Sequence, residues 1–327
     1  MNRLYPLLFK PIFKEKIWGG QRIKTVLGKD FSPLHNCGEA WLISGVEGEN
    51  SVVSNGFLAD NELNELIEVY MDNLVGGPVY EKFGETFPLL FKFIDSRDYL
   101  SIQVHPDDAL AAERHGSFGK TEMWYVIDAE RDAELITGFR KTIDRRQFID
   151  HLQNRTLRDI LNTEKVSAGD VFYLPAGRIH ALGPGILLTE IQQTSDITYR
   201  IYDWDRTDPQ GKSRELHILQ ALEAMDYEAG DPYRTDYVKR PNETVPLVES
   251  PYFTTNLLQL TRPVNKDFTE LDSFVVYICT GGSGELVYRD GNLRLASGDA
   301  VLIPAELPDY RLNPAQSMEL LEVYLEE

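Results

Sequence analysis

Cysteine is almost missing from this chain: Cys37 and Cys279 are its two thiols. Two are too few for a disulfide framework, which points to a reduced, cytoplasmic protein. Long apolar runs are missing as well, and none approaches the roughly 20 residues needed to cross a bilayer. Residues 1–20 are partly apolar, but Lys10, Lys14, Glu15 and Lys16 interrupt them and no small-residue cleavage site follows. They do not read as a signal peptide. Low-complexity tracts are lacking too. Positive charge is scarce: 33 Lys and Arg stand against 52 Asp and Glu, giving a formal net charge of −19. Such a balance disfavours a nucleic-acid partner, whose phosphates need a basic surface. An anionic substrate would need a locally basic pocket inside an acidic molecule.

What is present is an ordinary globular composition, 42% hydrophobic over 327 residues, enough for two to three domains with a sizeable core. The most informative stretch is Gln103-Val104-His105-Pro106-Asp107, with Glu122 and His180 further on. Strand side chains alternate, so Q-x-H on a strand places its two side chains on one face. An amide oxygen, imidazoles and a carboxylate suit a borderline divalent metal such as zinc. A lone histidine is more often a buried, hydrogen-bonded one, so the surrounding pattern has to decide.

That pattern is a degenerate internal repeat. Gly169-Asp170-Val171-Phe172-Tyr173-Leu174-Pro175-Ala176 reappears as Gly298-Asp299-Ala300-Val301-Leu302-Ile303-Pro304-Ala305. Each copy is a turn and a short apolar strand stopped by proline. Met123–Ile127 precedes the first copy and Val275–Cys279 the second, each followed by a turn and another strand. Repeated short strands argue for β-barrels or sandwiches. The expectation is a mainly β protein of two related barrels with a few short helices. The copies differ where chemistry would sit. The step from Gly169 to His180, taken from Gly298, lands on Asp309, and Phe274 stands where Glu122 would be. One barrel should hold metal and the other should serve for packing.

The remaining chain reads as follows. Strands are expected at Gly38–Ser44, Asn50–Val53 and across Leu89–Val104, and helices at Asn61–Tyr70, Asp107–Arg114, Thr142–Leu161 and Leu216–Met225. Domains are placed at 1–226 and 250–327, joined by a Pro-, Asp- and Tyr-rich linker at 227–249. Lys92, Lys120 and Arg200 lie near the proposed ligands. Most such charges are solvated, but Lys92 interrupts an apolar run from Phe87 to Ile94, so it points into a cavity or to the open face of an edge strand.

The ordered motifs Gln103-x-His105-Pro106, Lys120-x-Glu122-Met123, Pro175-Ala176-Gly177-x-x-His180-Ala181 and Asp196-x-x-x-Arg200 together resemble the type I phosphomannose isomerases, zinc enzymes of the cupin superfamily. The resemblance runs from about Trp18-Gly19-Gly20 to Asp205, and more loosely to the end. It implies two cupin-like jelly rolls and one zinc ion per chain, held by Gln103, His105, Glu122 and His180. It also implies a catalytic Arg200, pocket lysines Lys92 and Lys120, and substrate-binding Ser101, Glu190 and Asp196. Larger family members insert a helical domain between the Glu and second His ligands. Here there is room for a single helix near 142–161, as in a compact bacterial form.

The implied reaction interconverts mannose 6-phosphate and fructose 6-phosphate through a cis-enediol. A metal would act as Lewis acid. Arg200 stays protonated and would stabilise the enediolate or grip phosphate. The proton shuttle would be Lys92 or Lys120, with a pKa lowered by burial near cations, or a metal-bound water. The partner is then a small sugar phosphate, with neither nucleic acid nor membrane, and the chain a monomer or weak homodimer. Two other readings compete: a non-catalytic sugar-binding or regulatory metal cupin, and an Fe(II) oxygenase with two His and one carboxylate. Cations beside the metal set count against the first, and the glutamine against the second.

Overall fold

The computed structural model describes residues 3–207, 211–230 and 232–326. Strand makes up 40% of the chain and helix 17%, so the mainly β expectation holds. Among the described residues, no helix is long and apolar enough to cross a membrane.

Three antiparallel sheets carry the fold. A six-stranded sheet runs in the order Ile12–Lys14, Glu39–Ser44, Leu89–Ser96, Ile186–Gln193, Glu122–Ala129, Val171–Leu174. A five-stranded sheet runs Tyr199–Tyr202, Ile102–Val104, His180–Leu182, Glu134–Phe139, Leu161–Lys165. Their facing sides share one apolar cluster built on Trp124, Val126, Leu135, Phe172, Leu182 and Leu188. All eight residues of Leu89–Ser96 are buried, because both faces of this central strand are covered. Leu89, Phe91 and Phe93 pack outward into the largest core, shared with the C-terminal unit. Alternation then sends Lys92 inward, so its interruption of the apolar run marks a cavity and not an edge.

The third sheet is eight-stranded and holds the C-terminal unit. It recruits two segments from outside the expected boundaries. Leu7–Leu8 pairs with Leu302 and Val301, so the first residues of the chain complete the second unit. Thr244–Glu249, expected to be linker, is the edge strand beside Thr254–Leu260. Val245, Leu247 and Val248 are buried across a register shift after Pro246, and an edge tolerates Pro246, which has no N–H to give a ladder.

The helices depart from the reading in informative ways. Asp107 caps Asp108–His115 through Leu110 N at 2.8 Å, as its two acids suggested. The helix expected over 142–161 is broken. Asp144 opens Arg145–Gln153 with a capping box, Arg155 turns the chain at φ +58, a short helix Leu157–Ile160 follows, and Leu161 enters a strand. Asn50–Val53 forms isolated bridges and no named strand. Short helices at Asp72–Val75 and Gly77–Phe83 carry too few periodic residues to show in sequence.

The repeat is real in three dimensions, but its alignment needs correcting. Gly169 and Gly298 adopt φ +92 and +89, a region open to glycine. Their N–H groups both donate over 2.8 Å, to Val126 O and Cys279 O. Asp170 and Asp299 each accept from the amide three residues upstream at 2.8 Å. Glu122 lies opposite Leu174, and in the second copy Val275, not Phe274, lies opposite Ile303. Asp309 is exposed, and the next residue, Tyr310, turns inward instead. Tyr277 and Tyr310 meet edge-to-face at 6.0 Å, as Trp124 and His180 do at 5.3 Å. Tyrosine and valine thus replace histidine and glutamate in the second barrel.

That barrel still buries a charge. Glu322 pairs in register with Tyr277 as Glu190 does with Trp124. Its carboxylate takes Tyr277 OH at 2.6 Å and Lys266 Nζ at 2.7 Å. Removing one partner of a buried ion pair strands the other. Lys266→Met should therefore lower the unfolding free energy by roughly 3 kcal/mol, read by denaturant titration. The double variant with Glu322→Gln should recover much of that loss; equal losses in the two variants would rule out a stranded charge.

Candidate metal centre and pocket

The two sheets of the first barrel bring the motif residues to one place. Gln103 leaves Ile102–Val104 directly opposite His180, which opens its own strand. Glu122 opens the strand paired with Val171–Leu174, and Gln192 is its neighbour on the other side. His105, Glu122 and His180 are 2%, 0% and 1% exposed, and their ligand atoms all lie within 4.8 Å of one another.

The donor set fits a divalent cation. His105 Nδ1 donates to Ile197 O at 2.8 Å and His180 Nδ1 to Arg178 O at 2.9 Å. Carbonyls only accept, so Nδ1 carries the proton and each Nε2 presents a lone pair. Those lone pairs face Glu122: His180 Nε2 is 3.3 Å from Oε1 and His105 Nε2 is 3.6 Å from Oε2. Glu122 Oε1 is buried without a hydrogen-bond partner. Lys120 Nζ serves Oε2 and His105 Nε2, which leaves Oε1 facing the His180 lone pair, an arrangement of acceptors that suits a cation. Gln103 Nε2 is 3.3 Å from His180 Nε2, and an amide flip would turn its oxygen to the same point.

Electrostatics follow from burial. Burial and the Lys120 ammonium keep His105 well below its ordinary pKa, and burial holds His180 at about 4. Both are neutral, as ligands must be. Burial pushes Glu122 up to about 7, the Glu190 charge adds to this, and Lys120 partly offsets it. Burial alone would raise Glu190 too, but Lys120 and Lys92, with hydrogen bonds from Lys92 and Trp124, hold it at about 2. Burial pulls Lys120 down, yet Glu122 and Glu190 outweigh it and leave its pKa raised. The lowered lysine expected for a proton shuttle is absent at this position, because two carboxylates surround it.

A cavity of about 330 Å³ opens beside this cluster, within the range of roughly 300–1,000 Å³ usual for small-molecule sites. Lys92, Ser101, Gln103, Lys120, Glu190, Asp196 and Arg200 all line it. Lys92 Nζ reaches Glu190 Oε1 at 2.8 Å and Gln192 Oε1 at 2.6 Å. Lys120 Nζ lies 2.6 Å from Glu122 Oε2 and 3.1 Å from His105 Nε2. Ser101 is buried, and Asp196 is exposed at the rim. Arg200 is not paired with Asp203, whose carboxylate is taken by Arg206 and Arg214. Its Nη1 donates to Glu215 O at 2.9 Å, and its Nε is buried without a partner.

Sequence reasoning missed part of this wall. Lys14, Lys16, Glu39, Trp41 and Arg214 also line the cavity. Glu39 takes Trp41 Nε1 at 2.8 Å and Lys16 at 3.0 Å, while Lys14 stands 4.0 Å over the Trp41 ring. The clustered lysines before Trp18-Gly19-Gly20 were the available signal. Arg214 had none. Cations outnumber carboxylates around the cavity, which supplies the basic pocket that an anionic substrate needs in an acidic protein.

Among the described residues, His105, Glu122 and His180 are the group of metal-capable side chains that converge. The metal-free protein should release protons as it binds zinc. At pH 6 a Glu122 carboxyl that titrates near 7 is mostly protonated and must ionise, whereas His180 is already neutral. About one proton per ion should be released at pH 6 and almost none at pH 8, measured by calorimetry in buffers of different ionisation enthalpy. Equal release at both values would contradict the raised Glu122.

The chain is similar to proteins of one family. A model of the phosphomannose isomerase type I catalytic domain matches residues 7–142, and one of the mannose-6-phosphate isomerase cupin domain matches residues 243–325. The chain is 36% identical to mannose-6-phosphate isomerase ManA of Bacillus subtilis, over 94% of this chain and 96% of that protein. It is also 36% identical to the mannose-6-phosphate isomerase of Streptococcus mutans, over 94% and 95% of the two. The crystal structure of a Bacillus subtilis mannose 6-phosphate isomerase superposes with TM-score 0.87 at 34% identity, covering 97% of this chain and 99% of that one. A putative mannosephosphate isomerase from Archaeoglobus fulgidus shares the fold at TM-score 0.79 and 19% identity, over 99% of each chain.

Proposed function

The chain belongs to the type I phosphomannose isomerase family, and we propose that it interconverts mannose 6-phosphate and fructose 6-phosphate in the cavity beside His105, Glu122 and His180. The observation that carries the proposal is Glu122 Oε1, buried and unpartnered between imidazole lone pairs at the end of a cation-lined pocket. Gln103, His105, Glu122 and His180 would hold one zinc ion. When bound, it would supply Lewis acidity toward the C1 and C2 oxygens of the open-chain sugar.

The chain's own residues account for the rest. Isomerisation moves a proton between C2 and C1 through a cis-enediol, and negative charge builds on both oxygens. Lys92 and Lys120, fixed by buried carboxylates, present ammonium groups that need not reorganise as that charge develops. Glu122 is the partner that keeps Lys120 charged. Lys120 Nζ lies within hydrogen-bond reach of both Glu122 and His105, which makes its ammonium the candidate proton carrier. Arg200 lacks a carboxylate partner among the described residues, so its guanidinium has donors to spare for an anion. Arg214, Lys14 and Lys16 line the same wall, each held by a carboxylate. A structural metal in a sugar-binding module would need none of these cations, which favours the catalytic reading.

The reading is tested by stripping metal with a chelator and assaying conversion of mannose 6-phosphate. Activity should vanish and return with one equivalent of zinc. Full activity in protein shown to be metal-free would overturn it.

Arg200→Ala should leave metal content and fold intact and lower turnover by about 10²-fold, the scale of losing one preorganised donor. A fall in kcat at saturating substrate assigns Arg200 to the enediolate, and a rise in KM alone assigns it to phosphate. Near-normal kinetics would remove it from the site.

A further inference from the structure

Gln192 is wholly buried and no step above uses it. It lies on Ile186–Gln193, two residues beyond Glu190 and so on the same inward face. Both ends of its amide are engaged. Oε1 accepts from Lys92 Nζ at 2.6 Å. Nε2 donates to Gln193 O at 2.9 Å and also to Ser195 O. Ser195 immediately precedes Asp196, which lines the cavity. One side chain therefore joins a pocket ammonium to the turn that presents a pocket carboxylate.

Only an amide does both. A methionine of similar length does neither. A glutamate would keep the acceptor for Lys92, but its second oxygen would face two carbonyl oxygens and the turn would lose its donor. The charge balance points the same way. Lys92 and Lys120 already face Glu190 and Glu122, and a third carboxylate would leave an unmatched buried charge.

We propose that Gln192 is a positioning residue for the isomerisation, setting the Lys92 ammonium with its amide oxygen and the Asp196 turn with its amide nitrogen. This rests on the reading that Lys92 and Asp196 serve the reacting pocket. Gln192→Met should lower kcat by about 10–100-fold, the scale of a misplaced catalytic group, with zinc content and circular dichroism unchanged. Gln192→Glu should retain more turnover than Gln192→Met, because Lys92 keeps its acceptor, and should raise KM as the Asp196 turn loosens.

Kinetic coupling separates positioning from mere packing. If Gln192 acts through Lys92, the Lys92→Met/Gln192→Met double variant should turn over no slower than Lys92→Met alone. Multiplied losses, or native kinetics in Gln192→Met, would overturn the inference. If Gln192→Met does not fold, Gln192→Asn decides, since it keeps an amide and adds no charge: a lowered kcat or raised KM with zinc bound supports positioning, and native kinetics or failure to fold overturns it in favour of a packing role. Lys92→Met tells the two levels apart. Near-normal turnover in that variant sinks the underlying assignment of Lys92, whereas an impaired Lys92→Met beside a native Gln192→Met sinks the Gln192 inference alone.

Discussion

Charge neutrality inside a closed barrel is the constraint on which the site depends. Lys92, Lys120, Glu122 and Glu190 are all less than a tenth exposed. None could be buried alone, since an uncompensated charge in such surroundings costs several kcal/mol. They survive because strand register sets them against one another. Lys92 is cross-strand from Glu190, and Lys120 is two residues from Glu122 at the mouth of the next strand but one. The same placement leaves one buried carboxylate oxygen, Glu122 Oε1, unpartnered beside two neutral imidazoles. A fold that merely needed stability would have no reason to concentrate such groups there. The site is where local preference for apolar residues is overruled, as functional positions commonly are.

The second barrel meets the same constraint with a different set of partners. Glu322 occupies the register of Glu190, and an aromatic donor lies across from each, tyrosine in one case and tryptophan in the other. What changes is everything that would make a cation site. Valine stands in the register of Glu122, Tyr310 turns inward near the place of His180, and Lys266 brings a permanent positive charge. A protein ammonium and two hydroxyls thus close what the first barrel leaves open to a cation. In both barrels the buried glutamate is held by an aromatic donor and a lysine.

Much of this was legible in the sequence, for identifiable reasons. The glycine-aspartate turn repeats because a positive φ and a side-chain cap are each written in one residue, so Gly169-Asp170 and Gly298-Asp299 mark equivalent turns without error. Q-x-H was readable because alternation on a strand is strict. The equivalents of the ligands in the second barrel were misplaced by one residue each, Phe274 for Val275 and Asp309 for Tyr310. Counting residues from a turn cannot see a local shift in register, and a shift of one exchanges the two faces of a strand. Leu7–Leu8 joining the second unit was invisible because two residues carry no period. Lys14 and Lys16 were read as interruptions of an apolar leader, when their role depends on a strand pairing, Ile12–Lys14 with Glu39–Ser44, that brings them to the cavity.

The contrast between surface and cavity completes the physical picture. A formal charge of −19 repels a dianionic sugar phosphate at long range. Attraction has to be short-ranged and built from groups that the surface field cannot neutralise. Most pocket cations meet this demand at a cost in free charge: Lys14 pairs with Glu49, Lys16 with Glu39, Lys92 with Glu190, Lys120 with Glu122 and Arg214 with Asp203. Each pair fixes a donor in place but cancels its field. Arg200 differs: among the described residues its guanidinium donates to the Glu215 carbonyl, which orients it without a counter-charge. Preorganised pairs set the shape of the pocket, and Arg200, with no carboxylate partner among the described residues, gives that shape a sign.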